Sequence, residues 1–273
     1  MVEAANRIGD ILFKPREPNS SPPVQVAPEW ALFLDVDGTL LPIAATPDAV
    51  VVSTRLRQAL RRVLPAFGGA VALISGRTIA TLDQLFAPLL LPAAGVHGLE
   101  RRDAAGTVHR VGVVAGLDDV RAAFAVFEAA HAGVLLEDKG SAVVLHFRQA
   151  PEAAMAARRL VAGLIERRAD GIRVLEGKMM LEIVSPLADK GTAIAAFMGE
   201  APFAGRRPVF VGDDVTDEDG FAMVNGLGGY SVRVGAPAEP SAATYHLADV
   251  AAVVDWLEAL PGMLKALPAG GLG

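Results

Sequence analysis

Two aspartates one residue apart, in Asp35-Val36-Asp37-Gly38-Thr39-Leu40, directly follow the apolar run 31–34. Carboxylates at the end of a buried strand repel each other, and each costs several kcal/mol to desolvate without a partner. Something cationic must hold them, and a hard ion such as Mg²⁺, which takes oxygen ligands in near-octahedral geometry, suits the pair. A helix N-cap is the plainer use of aspartate here, but a cap needs only one. A second acidic run, Gly212-Asp213-Asp214-Val215-Thr216-Asp217-Glu218-Asp219, follows the apolar residues 208–211. Parallel strands gather their C-terminal ends, so Asp213 can complete a metal site begun by Asp35 and Asp37. Acidic residues in a first helical turn also complement the helix dipole. For Asp217 capping and ligation weigh equally. Ile74-Ser75-Gly76-Arg77 ends another apolar run and offers a hydroxyl and a backbone open to close approach by an anion. Lys190, in Asp189-Lys190-Gly191-Thr192, opens a helical pattern, where an exposed surface lysine is the bland alternative. A carboxylate nucleophile, a neighbouring acid, a metal and donors for an anion are the parts of phosphoryl transfer. Setting a carboxylate about 4 Å from a phosphate costs on the order of 4 kcal/mol per unit charge pair at an effective dielectric near 20. Mg²⁺ and Lys190 would offset that cost.

The elements that must position these groups are short apolar runs at 31–34, 70–74, 208–211 and 231–234, each followed by a turn and a helical pattern. Runs without alternation are what buried parallel strands look like when helices cover both faces. The chemistry sits at their C-terminal ends, where open α/β sheets bind ligands. The middle of the chain differs. A helical pattern at 117–131 precedes strands at 134–136 and 141–148 around Lys139-Gly140, a hairpin signal. A second helix from Pro151 to about Ala169 leads to strands at 172–175 and 179–184, separated by Glu176-Gly177-Lys178. This order describes an antiparallel sheet with helices on one side.

Strand period places charges on that sheet. In 178–184, Met179, Leu181 and Ile183 point one way while Lys178, Met180 and Glu182 point the other. In 141–148, Val143, Leu145 and Phe147 share a face, opposite His146 and Arg148. If the apolar sides bury against the helices, then Lys178, Glu182, His146 and Arg148 line one polar face near Glu137 and Lys139. A merely solvated sheet face accounts for this pattern equally well.

The motifs DVDGTL, ISGR, DKG and GDDVTDED, in this order, resemble those of the haloacid dehalogenase-like phosphatases. The closer resemblance, over about residues 30–260, is to the trehalose-6-phosphate phosphatase family. It is carried by Val96-His97-Gly98-Leu99-Glu100, Glu137-Asp138-Lys139-Gly140, His146-Phe147-Arg148, 177–182 and 212–221. That resemblance implies an α/β fold, with a Rossmann-like parallel-sheet hydrolase core and an inserted α+β cap. It implies Asp35 as a nucleophile that forms an aspartyl-phosphate and Asp37 as the general acid that protonates the sugar oxygen and then activates water. Mg²⁺ would be held by Asp35, Asp213 and the Asp37 backbone carbonyl, with Asp214 and Asp217 in support. Ser75 and Lys190 would hold the phosphate, and Gly76, Arg77 and His97 would complete the substrate contacts of the core. Glu137, Lys139 and Glu182 would grip the distal glucose, with His146, Arg148 and Lys178 as neighbours. Val36 stands where such enzymes often carry an aromatic residue.

The division expected is a leader at 1–28, core segments at 29–114 and 187–273, and a cap at 115–186. The leader carries Pro15, Pro18, Pro22, Pro23 and Pro28, which neither helix nor sheet ladder tolerates in series. Of 273 residues, 52% are hydrophobic and 21% charged, which excludes wholesale disorder. With no cysteine there is no disulfide framework, thiolate metal site or cysteine nucleophile. A net charge of −6 argues against nucleic acid or anionic lipid as partner. No apolar run has the length of a signal core or a membrane span. A cytoplasmic monomer acting on a small sugar phosphate is therefore expected. The alternatives are a related phosphatase for sucrose 6-phosphate or a hexose phosphate, and a non-catalytic sugar-phosphate sensor. The sensor would be expected to lack a catalytic carboxylate, and all three acids are present.

Overall fold

The structure, a computed structural model, describes residues 22, 26–44, 49–112, 116–166, 172–177, 179–236 and 241–265. The first half of the core comprises β1 (Trp30–Leu34), α1 (Thr54–Ala66), β2 (Val71–Ile74), α2 (Ile79–Phe86), β3 (Ala93–Gly95), β4 (Glu100–Arg102) and β5 (Val108–Arg110). The insert follows as α3 (Leu117–Ala130), β6 (Leu135–Asp138), β7 (Ala142–His146), α4 (Ala154–Glu166), β8 (Arg173–Gly177) and β9 (Met180–Val184). The core resumes with α5 (Lys190–Met198), β10 (Arg207–Gly212), α6 (Glu218–Gly226), β11 (Tyr230–Val234), β12 (Tyr245–Leu247) and α7 (Val250–Lys265).

One eight-stranded sheet runs in the order β12-β11-β10-β1-β2-β3-β4-β5. Its first six strands are mutually parallel, and β4 and β5 add an antiparallel edge. β1 shows why the run at its centre is uninterrupted. Leu32 and Leu34 pack into a cluster with Leu60 of α1, Leu82 of α2 and Leu257 of α7. Ala31 and Phe33 face Phe197 of α5 and Phe221 of α6. Both faces are covered, so every β1 residue is apolar and buried. Local signals start the helices: Ser53 and Thr78 cap α1 and α2, and Asp189 and Thr192 form a reciprocal capping box on α5.

The insert forms a separate four-stranded antiparallel sheet, β6-β7-β9-β8. One face packs on α3 and α4 through Val143, Leu145, Leu181 and Ile183 with Phe124 and Val161. Registers align Glu137 with Val144, Val144 with Glu182, and His146 with Met180, which sets these residues on the opposite face. That face is not solvated: Val144 and Glu182 are each 0% exposed.

Three local readings change. Residues 93–110, for which the sequence offers no strand signal, form β3, β4 and β5. The break expected at Glu176-Gly177 instead lies inside β8, because Glu176 pairs with Leu181 and Gly177 with Met180. Met179, expected as the first residue of a strand, has φ of 67° and belongs to the tight turn between β8 and β9. Of the leader 1–28, residues 1–21 and 23–25 lie outside the described residues, and Val26 belongs to the same buried cluster as Trp30. No helix among the described residues is long and apolar enough to cross a membrane.

Candidate active site

The centre of the sheet places the acids. β1 and β10 pair in parallel with Leu34 opposite Val211, and the Asp35 N–H donates to the Val211 carbonyl at 2.9 Å. Asp35 and Asp213 therefore leave adjacent strands within one residue of the same level. Atoms of Asp35, Asp213 and Asp217 all lie within 4.8 Å of one another. Gly38 makes the approach possible, since a Cβ there would lie 2.1 Å from an Asp213 carboxylate oxygen, and its φ of +89° suits glycine. The Thr39 hydroxyl donates to Asp213 Oδ1 at 3.3 Å.

Lys190, the first residue of α5, reaches into this cluster. Its Nζ donates to Asp35 Oδ1 at 2.8 Å and to Asp217 Oδ1 at 2.6 Å, and all three residues are buried. The other Asp217 oxygen accepts the N–H groups of Asp213 and Asp214, each at 2.9 Å. Asp217 thus folds the acidic loop and pairs with the lysine, so its capping and site roles coexist. Burial alone would lower the Lys190 ammonium, but the Asp217 and Asp35 carboxylates outweigh it and hold the group charged. For Asp35, burial and the neighbouring Asp217 raise the carboxyl well above its usual range against the pull of Lys190. Burial, then Asp217 and Asp214, push Asp213 up to about 6. Three carboxylates share one ammonium in a largely buried, all-oxygen donor set that carries more acid than base. A hard divalent cation fits those donors.

Ser75 is buried at the end of β2, and its hydroxyl accepts the Arg77 N–H at 3.1 Å. Arg77 is expected to contact substrate; it forms a two-pronged bridge to Asp37, Nε to Oδ2 at 2.6 Å and a terminal nitrogen to Oδ1 at 2.8 Å. On the cap, Glu182 Oε1 accepts from Lys139 Nζ at 2.9 Å, and Oε2 lies 3.1 Å from His97 Nε2 of the core. Burial would raise the Glu182 carboxyl, but Lys139 and His97 outweigh it and hold it at about 2. His146 Nε2 lies 2.8 Å from Glu137 Oε2, and that bond, with the Lys139 charge, keeps Glu137 below its usual value despite burial. Arg148, one residue past Phe147 at the end of β7, donates to the Ala44 carbonyl of the core at 3.0 Å.

These groups line one cleft of about 570 Å³ between core and cap. Asp35, Asp37, Ser75, Gly76, Arg77, His97, Lys190, Asp213 and Asp214 stand along it from the core, and Glu137, Lys139, His146, Arg148 and Glu182 from the cap. Lys178 lies outside the described residues. Asp214, expected beside the metal, is not in the acidic cluster; its carboxylate accepts the Val215 N–H at 2.8 Å, and Asp217 takes the place in the cluster.

A family model described as trehalose-phosphatase matches residues 33–251, about four-fifths of the chain. The chain belongs to the trehalose-phosphatase family. It is 45% identical over 238 residues to a probable trehalose-phosphate phosphatase of Sinorhizobium fredii, covering 87% of each chain. To the trehalose-6-phosphate phosphatase of Escherichia coli it is 44% identical over 250 residues, covering 91% of this chain and 92% of the other. The solved C-terminal domain of the Candida albicans trehalose-6-phosphate phosphatase superposes with a TM-score of 0.76 at 22% identity, over 85% of this chain and 92% of that one, which shows a shared fold. As a member of the trehalose-phosphatase family the protein is an enzyme, a hydrolase of phosphoric monoesters, and its parallel-sheet core with an inserted α/β cap is the family's architecture. Two motif residues that had been given no role also stand in the site. Thr39 steadies Asp213, and Met180 lines the cleft beside the cap carboxylates. The signal for Asp217 was its spacing: three residues past Asp214, it returns to the strand end after one short turn.

Proposed function

We propose that the protein hydrolyses trehalose 6-phosphate to trehalose and inorganic phosphate, the last step of trehalose biosynthesis. The observation carrying this is the pairing of two chemistries across one cleft: an acidic, lysine-held cluster on the core and the sugar-suited Glu137, Lys139 and Glu182 on the cap. Carboxylates accept from hydroxyls and ammonium groups donate to them, so such a wall can hold a hexose. A volume of about 570 Å³ is in the range of sites that enclose a small organic ligand. The names carried by the Sinorhizobium and Escherichia coli relatives support the same substrate.

In the mechanism, Asp35 attacks phosphorus, the bond from phosphorus to the sugar oxygen breaks, and Asp37 gives its proton to that oxygen. Water then attacks the aspartyl-phosphate with Asp37 as base, releasing phosphate and restoring Asp35. Lys190 fixes the Asp35 carboxylate and supplies positive charge beside the phosphate. Ser75, Gly76 and Arg77 form the turn that receives it, and Arg77 also sets the orientation of Asp37. Asp35 and Asp213, with the Asp37 carbonyl and with Asp217 in support, would hold Mg²⁺. When bound, the ion neutralises charge on the phosphoryl group. The cap, residues 115–186, covers the reacting atoms and excludes bulk water. The working form is a cytoplasmic monomer with no nucleic acid or membrane partner.

Phosphate release tests this on trehalose 6-phosphate, sucrose 6-phosphate and glucose 6-phosphate, with and without a chelator. Turnover should be fastest on trehalose 6-phosphate and stop on chelation. Equal rates on all three sugars would defeat the substrate assignment.

A further inference from the structure

His97 has a backbone that its sequence neighbours do not favour. Val96 and His97 have φ of 47° and 55°, and Gly98 follows at 100°. A β-branched residue rarely adopts such a conformation, and it persists only where the surroundings over-determine it. Here they do. The Val96 N–H donates to the Arg77 carbonyl at 2.9 Å and the His97 N–H to the Ser75 carbonyl at 3.0 Å. The segment is thereby strapped to the turn that receives phosphate. The imidazole lies against Gly76, where a Cβ would stand 2.7 Å from its Cε1 and Nε2. Only glycine leaves room for the ring. The Nε2 edge then reaches Glu182 at 3.1 Å, while Nδ1 is buried without a hydrogen-bond partner among the described residues. The Glu182 carboxylate can only accept, so Nε2 is the donor. The ring's single hydrogen bond thus crosses from core to cap, onto the carboxylate whose other oxygen is held by Lys139.

We propose that His97 is a positioning residue that couples the two halves of the site, tying the cap's sugar-binding carboxylate, Glu182, to the phosphate-site turn at 75–77. A strained, strapped segment whose one imidazole bond is made to the other domain is suited to transmit closure, and it acts on the sugar through Glu182. This rests on the proposed function for its substrate but not for its contact. Beside this bond the cap sheet meets the core on an apolar seam, where Ala142 and Val184 pack with Val96 and Leu99.

Two measurements test it. The first needs no substrate: nuclear magnetic resonance of the full-length protein should show a slowly exchanging His97 Nε2–H signal that vanishes in Glu182→Ala, while amide resonances of 75–77 shift. Retention of the signal, or silence at 75–77, would overturn the coupling. The second compares kcat/KM on trehalose 6-phosphate and on p-nitrophenyl phosphate, which has no sugar. His97→Asn tolerates the left-handed backbone but its amide is too short to reach Glu182. It should lower kcat/KM on the sugar phosphate by roughly ten- to a hundredfold more than on the aryl phosphate. The double variant with Glu182→Ala should be no worse on the sugar phosphate than Glu182→Ala alone. Equal losses on both substrates, or losses that multiply in the double variant, would refute the role. A wild-type enzyme without preference for trehalose 6-phosphate would defeat the proposed function and leave the resonance experiment to judge His97.

Discussion

Glu182→Gln should remove a pH dependence of stability that the native protein carries. Glu182 is 0% exposed and held at about 2, against an ordinary value of 4.5. Each unit is worth about 1.36 kcal/mol, so the ionised form contributes roughly 3 kcal/mol to folding at neutral pH. Because the folded value is the lower one, this stabilisation is complete above the unfolded value and drains as pH falls through 4.5 toward 2. Linkage places roughly 1 kcal/mol of the loss between pH 5.5 and 3.5. The glutamine variant should be less stable at pH 5.5, because Lys139 and His97 then face a neutral amide. The gap between the two proteins should narrow by that amount at pH 3.5. Urea unfolding followed by circular dichroism is the suitable assay, since both tryptophans, Trp30 and Trp256, sit in the core and would miss the cap. A gap that stays constant across this window would refute the argument that Lys139 and His97 hold Glu182 ionised.

Asp35→Asn should abolish turnover without lowering the melting temperature, because it removes a carboxylate that burial and Asp217 already disfavour as an ion; a large drop in melting temperature would contradict this. Gly38→Ala should cost most of the activity, since the added methyl would sit 2.1 Å from an Asp213 oxygen, and steady-state kinetics with folded protein checked by circular dichroism would show it. Added Mg²⁺ should raise the melting temperature of the native chain by mass action and fail to do so in Asp213→Asn.

Much of the site could be read from sequence because phosphoryl-transfer residues sit at strand ends, and the apolar runs before Asp35, Ser75 and Asp213 mark those ends plainly. The polar face of the cap sheet was legible from alternation, since His146 and Glu182 do share it, and Glu137, expected only near it, joins them from β6. What alternation could not show was that this face is closed over by the core, which depends on packing between segments far apart in the chain. β3 went unread because Ala93-Ala94-Gly95 has neither bulk nor branching to advertise a strand; it forms by pairing with β2 and β4. That Asp217 joins the acidic cluster while Asp214, expected in support with it, does not has a similar cause. The Asp214 carboxylate caps the short turn at 215–217 through the Val215 N–H, and that turn brings Asp217 back to the strand end. The Arg77 to Asp37 bridge leaves no trace in spacing, because its partners come from different strands.

The alignment of Leu34 with Val211 has an evolutionary corollary. Inserting or deleting one amino acid within β1 or β10 would turn every following side chain to the reverse side of the sheet, and the acids could no longer meet. Helices and surface loops can absorb a change in length, whereas these two central strands cannot.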